Sequence, residues 1–437
     1  MTDAIDVLYK HFLTNPRIST DSRNIIPQSL FFALKGRSFN GNNFALTALE
    51  KGAVLAVVDE DIPGINKEKT FRVENVLHAL QLLAHHHRKV LQTPILAITG
   101  TNGKTTTKEL LHAVLSESYN CYATRGNLNN HIGVPLSLLE LTSAHRFAVI
   151  EMGANHIGEI HALCQIAAPD YGLITNIGKA HMEGFGSLEG VKKAKAELYD
   201  FIDKKNGSIF FNNNDTILQD IVKVYSCKKI AYGNAPGATV SAKVDEASSF
   251  LSLELLFSSG ISVKIQSQLI GSYNADNILA AACVGAQLNV PEEKICRAIE
   301  KYTPANHRSQ YLKTQNNSLI LDLYNANPSS MEAAVKNFIH SRAKNKMLIL
   351  GDMLELGDMA LTEHEYLLKM LMEAGLKKVY LVGDNFRKAI TTTGYDYPVF
   401  PDVFALNKYI KNNPPHGAYI MLKGSRGMKL EEVVELL

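Results

Sequence analysis

Cysteine is scarce and scattered in this chain. The five residues, Cys121, Cys164, Cys227, Cys283 and Cys296, are odd in number and never fall in a C-x-x-C spacing. That argues against a disulfide framework or a zinc site and fits a reducing compartment, so a cytoplasmic location is expected. No apolar run approaches the ~18 residues of a membrane span. The opening Met1-Thr-Asp-Ala-Ile-Asp6 lacks the basic-then-apolar order of a secretory signal. Charge of one sign is not in excess: 45 Lys and Arg face 43 Asp and Glu, a net of +2. No global field therefore draws nucleic acid or a membrane surface, and an acidic substrate must be held by local basic groups. Internal repeats and low-complexity tracts are absent too. What remains is a globular composition, 46% apolar and 20% charged over 437 residues. That is too long for one core, and about two to four domains are expected.

The order of elements predicts an α/β protein of three domains. Residues 1–85 read as a small α/β unit, with strands at Ser29–Leu34 and Ala53–Val58, a helix near Phe44–Lys51, and a second helix over Val76–Val90 leading onward. Within that helix, His85-His86-His87 invites a metal reading. Adjacent helical residues point in different directions, which disfavours it. Residues 86–309 alternate strands and helices, which implies a doubly wound parallel sheet. Its strands are Ile95–Thr99, Phe147–Glu151, Tyr171–Thr175, Ser208–Asn212 and Lys229–Tyr232. Val240–Val244, Phe250–Phe257 and Ser262–Gln266 have no helices between them and predict a small antiparallel patch, followed by a helix over Asn274–Leu288. Residues 310–437 resume the alternation, with strands at Leu319–Leu323, Lys346–Leu350, Lys378–Val382 and Ala418–Leu422, as in a Rossmann-like unit. No G-x-G-x-x-G follows its first strand, so dinucleotide binding is weakly supported.

The most specific motif is Ile95-Leu-Ala-Ile-Thr-Gly-Thr-Asn-Gly-Lys-Thr-Thr-Thr107, followed by the helical pattern Lys108–Leu115. It reads as strand, phosphate loop, helix. Backbone N–H groups at Gly100, Thr101, Asn102, Gly103 and Thr106 would close on phosphate oxygens, Lys104 supplies charge, and the Thr105 hydroxyl suits Mg²⁺. The loop is shorter than usual: Ile98 stands where a first glycine is expected, which disfavours ordinary GTPases and motor ATPases. Glu151 ends a predicted parallel strand and would face the same crevice, as a partner for the metal or as a plain surface acid. His181, in Ala180-His-Met-Glu-Gly184, also follows a strand, as a metal ligand or a solvated loop residue. Lys192, Lys193 and Lys195 share one helix and read as a solvated face. Asn127, Asn129 and Asn130 form an amide-rich loop that turn chemistry also explains. Asn274 and Asn277 open a helix, where capping is the default. Arg308 and Asp322 flank the second boundary, where ligands often sit.

Together these segments resemble the Mur ligase family of peptidoglycan synthesis, nearly end to end. The resemblance rests on Asp21-Ser22-Arg23, Phe31–Gly36, Thr99–Thr106, Asn127–Leu136, Glu151–Glu159, Asp322–Met331 and Lys423-Gly-Ser-Arg426. It is greatest to the branch that adds D-alanyl-D-alanine to UDP-N-acetylmuramoyl-tripeptide. The resemblance implies an ATP-dependent amide ligase working through an acyl phosphate, with an N-terminal nucleotide-sugar domain, a central ATP-binding domain and a C-terminal domain that delivers the amine. By the same resemblance, Lys104 holds the ATP phosphates, Thr105 and Glu151 hold one Mg²⁺, and His181 a second. Lys195 matches a lysine that the family carries as an N-carbamate beside that second metal. Asn274, Asn277, Arg308 and Asp322 match nucleotide contacts, and Tyr273 departs from the histidine often found before the first of those asparagines. Ser22, Arg23, Lys35, Asn127, Asn129 and Asn130 fall in substrate-binding motifs. Tyr324, Asn325 and Asn327 offer an apolar face, hydrogen-bond donors and acceptors to a dipeptide. A monomer is expected. Two alternatives stay open: another ligase of the superfamily, adding the third residue or resembling folylpolyglutamate synthase, and an ATP-binding regulatory protein that ligates nothing.

Overall fold

The computed structural model describes residues 2–245, 250–305 and 308–437. It is a three-domain α/β protein. The N-terminal part carries a four-stranded parallel sheet in the order Ile18–Ser19, Leu30–Phe32, Leu55–Val58, Thr70–Arg72. The two outer strands are too short to show a period in the sequence. Helix Val76–Leu91 starts where the Asn75 side chain accepts the His78 N–H, and it ends at Gln92 in the left-handed region. Leu80 and Leu83 of this helix lie in one apolar cluster with Leu30 and Val57 of the first sheet and Val134 and Leu138 of the next unit. A boundary at 85–86 therefore falls inside a continuous helix that belongs to both cores. Its three histidines diverge. His85 bonds the Ile166 carbonyl, His86 faces Asp6, and His87 lies between the Tyr9 hydroxyl and the Leu141 carbonyl.

The central sheet has six parallel strands in the order Lys228–Tyr232, Ser208–Asn212, Tyr171–Ile174, Ile95–Thr99, Phe147–Glu151, Cys121–Ala123. Ile95–Thr99 is flanked by Phe147–Glu151 and Tyr171–Ile174, so the carboxyl ends of these three strands open on one crevice. Cys121–Ala123 is three residues long and was not expected. The antiparallel patch consists of Val240–Asp245, Ser252–Phe257 and Ser262–Gln266. It shares a core with helices Ala275–Gln287 and Glu292–Lys301.

The C-terminal sheet runs Gln310–Lys313, Ser318–Asp322, Tyr419–Lys423, Lys346–Gly351, Val379–Val382, Val399–Phe400, parallel except for its first strand. Gln310–Lys313 and Val399–Phe400 are edge strands with little buried apolar surface, which hid them from a pattern reading.

Candidate active site

A cleft of about 1120 Å³ runs between the central and C-terminal domains. Its floor is the phosphate loop. Gly100 has φ +144°, and a Cβ there would stand 2.0 Å from the Thr175 hydroxyl oxygen. Gly103 has φ +78°, and a Cβ would stand 2.4 Å from Asn277 Oδ1. Both positions need glycine for backbone conformation and for close approach. Gly103 leads into helix Lys104–Ser116 without a side-chain cap, which leaves first-turn N–H groups for an anion. The loop is tied down from behind. The Thr101 and Asn102 amides, expected on phosphate oxygens, instead donate to the Asn176 carbonyl and side-chain oxygens, and the Thr175 hydroxyl donates to the Asn102 carbonyl. Thr106 lines the cleft beside it.

Lys104 curls over this loop, donating to the carbonyls of Gly100 (2.6 Å) and Thr101 (3.0 Å). Burial pulls its pKa down to about 8; Glu151 opposes that shift and Arg308 adds to it. Glu151 is 2% exposed. It accepts from the Thr105 hydroxyl at 3.0 Å and from Asn129 Nδ2 at 2.8 Å. Lys108 Nζ lies 3.6 Å from the same carboxylate, and both side chains are almost fully buried. Sequence reasoning missed Lys108. It shares a stripe with Leu111 and Leu115, three and seven residues on, and a lysine on a buried helical stripe is a signal the sequence does carry.

Lys195 is also on such a stripe, with Val191, Ala194, Leu198, Tyr199 and Ile202. The expectation of a solvated face holds for its neighbours and fails for Lys195, which is 3% exposed. Burial and the charge of Lys104 pull its pKa down to about 7, with Glu159 and Glu197 opposing. Its Nζ sits 5.3 Å from the Phe185 ring centroid and 3.5 Å from the Ala154 carbonyl, just behind the cleft wall. The His181 ring packs edge-on against the same Phe185 ring. His181 Nδ1 lies 2.5 Å from Glu355 of the C-terminal domain. Burial lowers the pKa of His181 and Glu355 opposes that shift.

From the C-terminal side, Tyr324 faces the cleft with the Arg308 guanidinium 3.5 Å from its ring centroid and Arg426 at 5.7 Å. Asp322 pairs with the buried Lys423. Asn274 and Asn277 line the cleft but buttress the loop. Asn277 Oδ1 accepts from Thr107 and its Nδ2 donates to Asn274, which donates to the Ile270 carbonyl. Tyr273 hydrogen-bonds Ser309. Asn325 uses Oδ1 on the Ala326 N–H. Asn327 departs from the expected substrate role: its Oδ1 caps helix Pro328–His340 and its Nδ2 donates to Asn102 of the phosphate loop at 2.8 Å. Asn130 likewise takes the Ile132 and Gly133 N–H groups at a helix start, although it borders the cleft.

Four residues expected in substrate binding do not reach this cleft. Arg23 pairs with Asp21, and the Ser22 carbonyl accepts from Lys51. Lys35 pairs with Asp59 and Glu60, and Asn127 stands exposed on its loop. Local carboxylates have taken both cations.

No group of three or more His, Cys, Asp or Glu side chains could hold a metal by itself among the described residues. The Thr105–Glu151 pair instead offers two hard oxygens beside a phosphate loop. That suits Mg²⁺, which keeps most of its waters and shares phosphate oxygens. The fold and site thus define a nucleotide-dependent phosphate-loop enzyme whose third domain lines the same cleft as its phosphate loop. Three family descriptions match: "Mur ligase family, catalytic domain" over residues 17–88, "Mur ligase middle domain" over 98–285, and "Mur ligase, glutamate ligase domain" over 307–426. The UDP-N-acetylmuramoyl-tripeptide–D-alanyl-D-alanine ligase of Bacillus subtilis strain 168 is 33% identical, over 98% of this chain and 96% of that protein. A crystal structure of MurF from Acinetobacter baumannii superposes with a TM-score of 0.86 at 32% identity, covering 96% of this chain and 92% of that one. MurF from Thermotoga maritima in complex with ADP gives 0.84 at 25% identity, covering 97% of each. The chain belongs to the Mur ligase family.

Proposed function

We propose that this protein joins D-alanyl-D-alanine to UDP-N-acetylmuramoyl-tripeptide at the expense of ATP, in peptidoglycan precursor synthesis. One observation carries the reading: Lys104 and Thr105 at the phosphate loop, with Glu151 beside them, face Tyr324 and Asn325 of the C-terminal domain across a single cleft. The terminal carboxylate of the tripeptide attacks the γ-phosphate of ATP, and the dipeptide's amine displaces phosphate from the acyl phosphate. Lys104 lets go of its loop carbonyls to hold the transferring phosphoryl group. Thr105 and Glu151 would hold Mg²⁺, which would offset charge on that group. Asn129 orients Glu151 and Lys108 balances its buried charge. Arg308, flat on Tyr324, reaches the nucleotide. The C-terminal domain excludes water that would hydrolyse the acyl phosphate.

Lys195, as an N-carbamate, and His181 would hold a second divalent cation. Capture of CO₂ by Lys195 releases a proton and needs the neutral amine, which its burial favours. The reaction takes place in the cytoplasm. The described cysteines are all unpaired, and no described helix is long and apolar enough to cross a membrane.

Acceptor choice tests the reading. Asn325 has one amide nitrogen left for a peptide, and Tyr324 covers a methyl group. A site that leaves polar groups unpaired when half its ligand is missing rejects single residues strongly. The kcat/KM for D-alanyl-D-alanine should exceed that for D-alanine, L-lysine or meso-diaminopimelate by at least about a hundredfold. Efficient use of one free amino acid, with the dipeptide inert, would assign the chain to a sibling ligase.

A further inference from the structure

His181 and Glu355 are 174 residues apart, yet Nδ1 of one meets Oε2 of the other at 2.5 Å. The histidine follows the third strand of the phosphate-loop crevice, and the glutamate follows strand Lys346–Gly351 of the C-terminal domain. Both are non-glycine residues with positive φ, +50° and +61°. That conformation is unfavourable for either one, and it persists where surrounding contacts impose it. Two more contacts hold the same seam. Lys179 Nζ pairs with Glu363 at 2.7 Å, and the Lys179 amide donates to Ser329 at 2.9 Å. The seam is a built contact between domains, and Glu355 is its member that meets the cleft-lining His181.

A carboxylate on one ring nitrogen of a neutral histidine fixes the tautomer. The proton sits on Nδ1, facing Glu355, and the lone pair is left on Nε2. No hydrogen-bond partner of Nε2 occurs among the described residues, and His181 lines the cleft. We infer that Glu355 is a positioning residue supplied by the C-terminal domain: its bond to Nδ1 sets His181 so that Nε2 can take a divalent cation, which makes the second metal site complete only when that domain has closed. The inference rests on the reading of His181 as a metal ligand. It adds a residue to that site and would couple metal loading to domain closure. Water or another tautomer would serve His181 poorly, because a proton on Nε2 blocks ligation.

The test uses the full-length protein labelled with ¹⁵N-histidine, with and without ADP, and Mn²⁺ as the metal probe. The His181 resonances, assigned with His181→Asn, should report a neutral ring protonated at Nδ1 in at least one of the two states. In Glu355→Ala that signature should be lost, and Mn²⁺ should bind the His181-dependent site on the order of tenfold more weakly. Glu355→Gln keeps a carbonyl acceptor for Nδ1–H and should restore both, which a merely structural role for the side chain would not predict. If His181→Ala leaves Mn²⁺ binding unchanged, the metal reading fails and the inference with it. If His181→Ala weakens binding while Glu355→Ala does not, or if Nδ1 carries no proton in either state, the metal reading stands and the inference is overturned.

Discussion

Replacing Lys195 by alanine is expected to leave a folded protein whose turnover falls by about 10³-fold or more, roughly 4 kcal/mol in the barrier. The side chain is nearly fully buried, and its few contacts are weak ones, a carbonyl at 3.5 Å and the face of the Phe185 ring 5.3 Å from its centroid. A lysine buried on an apolar stripe with so little to hold its charge is poorly explained as a structural cation. It is well explained as a neutral amine awaiting CO₂. On the proposed reading, the carbamate would place a carboxylate within the second metal site, which alanine cannot supply. Small carboxylic acids added at high concentration should therefore restore part of the activity of Lys195→Ala and have no such effect on Lys104→Ala. Unimpaired turnover in Lys195→Ala, or equal rescue of both variants, would contradict this role.

Lys104→Ala is expected to lose about 10²–10³-fold in kcat, on the order of 3–4 kcal/mol of transition-state stabilisation. Its fold should survive, because in this structure Nζ contacts only two loop carbonyls that water can satisfy. The loop itself is held by glycine geometry and by Asn176, Thr175 and Asn277, none of which needs the lysine. The defect should fall on the chemical step more than on nucleotide-sugar binding. A folded variant of near-normal activity, judged by circular dichroism and a melting temperature close to that of the parent, would remove the phosphate-loop assignment.

The parts of the site that the sequence disclosed are those carried by short-range pattern. An apolar run ending in Gly100-Thr-Asn-Gly-Lys104 announces strand, loop and helix, and the strand Phe147–Glu151 announces where its terminal acid points. Lys195 and Lys108 were legible in principle, since helical phase alone separates them from the half-buried Lys192 and the exposed Lys193. A run of lysines read by composition hides that phase. What could not be read are contacts made across domains. Asn327 serves as both a helix cap and a tether to Asn102, and Glu355 reaches His181, because the central and C-terminal domains meet at one cleft. Nothing in the local sequence of Glu355 signals that partner. Arg23 and Lys35 err in the opposite direction. Their motifs fit, but Asp21, Asp59 and Glu60 lie within reach of their charges and engage them locally.

The central claim is coupled ligation, and release of inorganic phosphate measures it most directly. With UDP-N-acetylmuramoyl-tripeptide, ATP, Mg²⁺ and D-alanyl-D-alanine together, phosphate should appear steadily and in equal amount to the ligated product. Omitting any one of the four should reduce the rate to background. Phosphate release that continues undiminished without the dipeptide or the nucleotide-sugar peptide, with no ligated product formed, would show an ATP-hydrolysing protein of another kind and contradict the account.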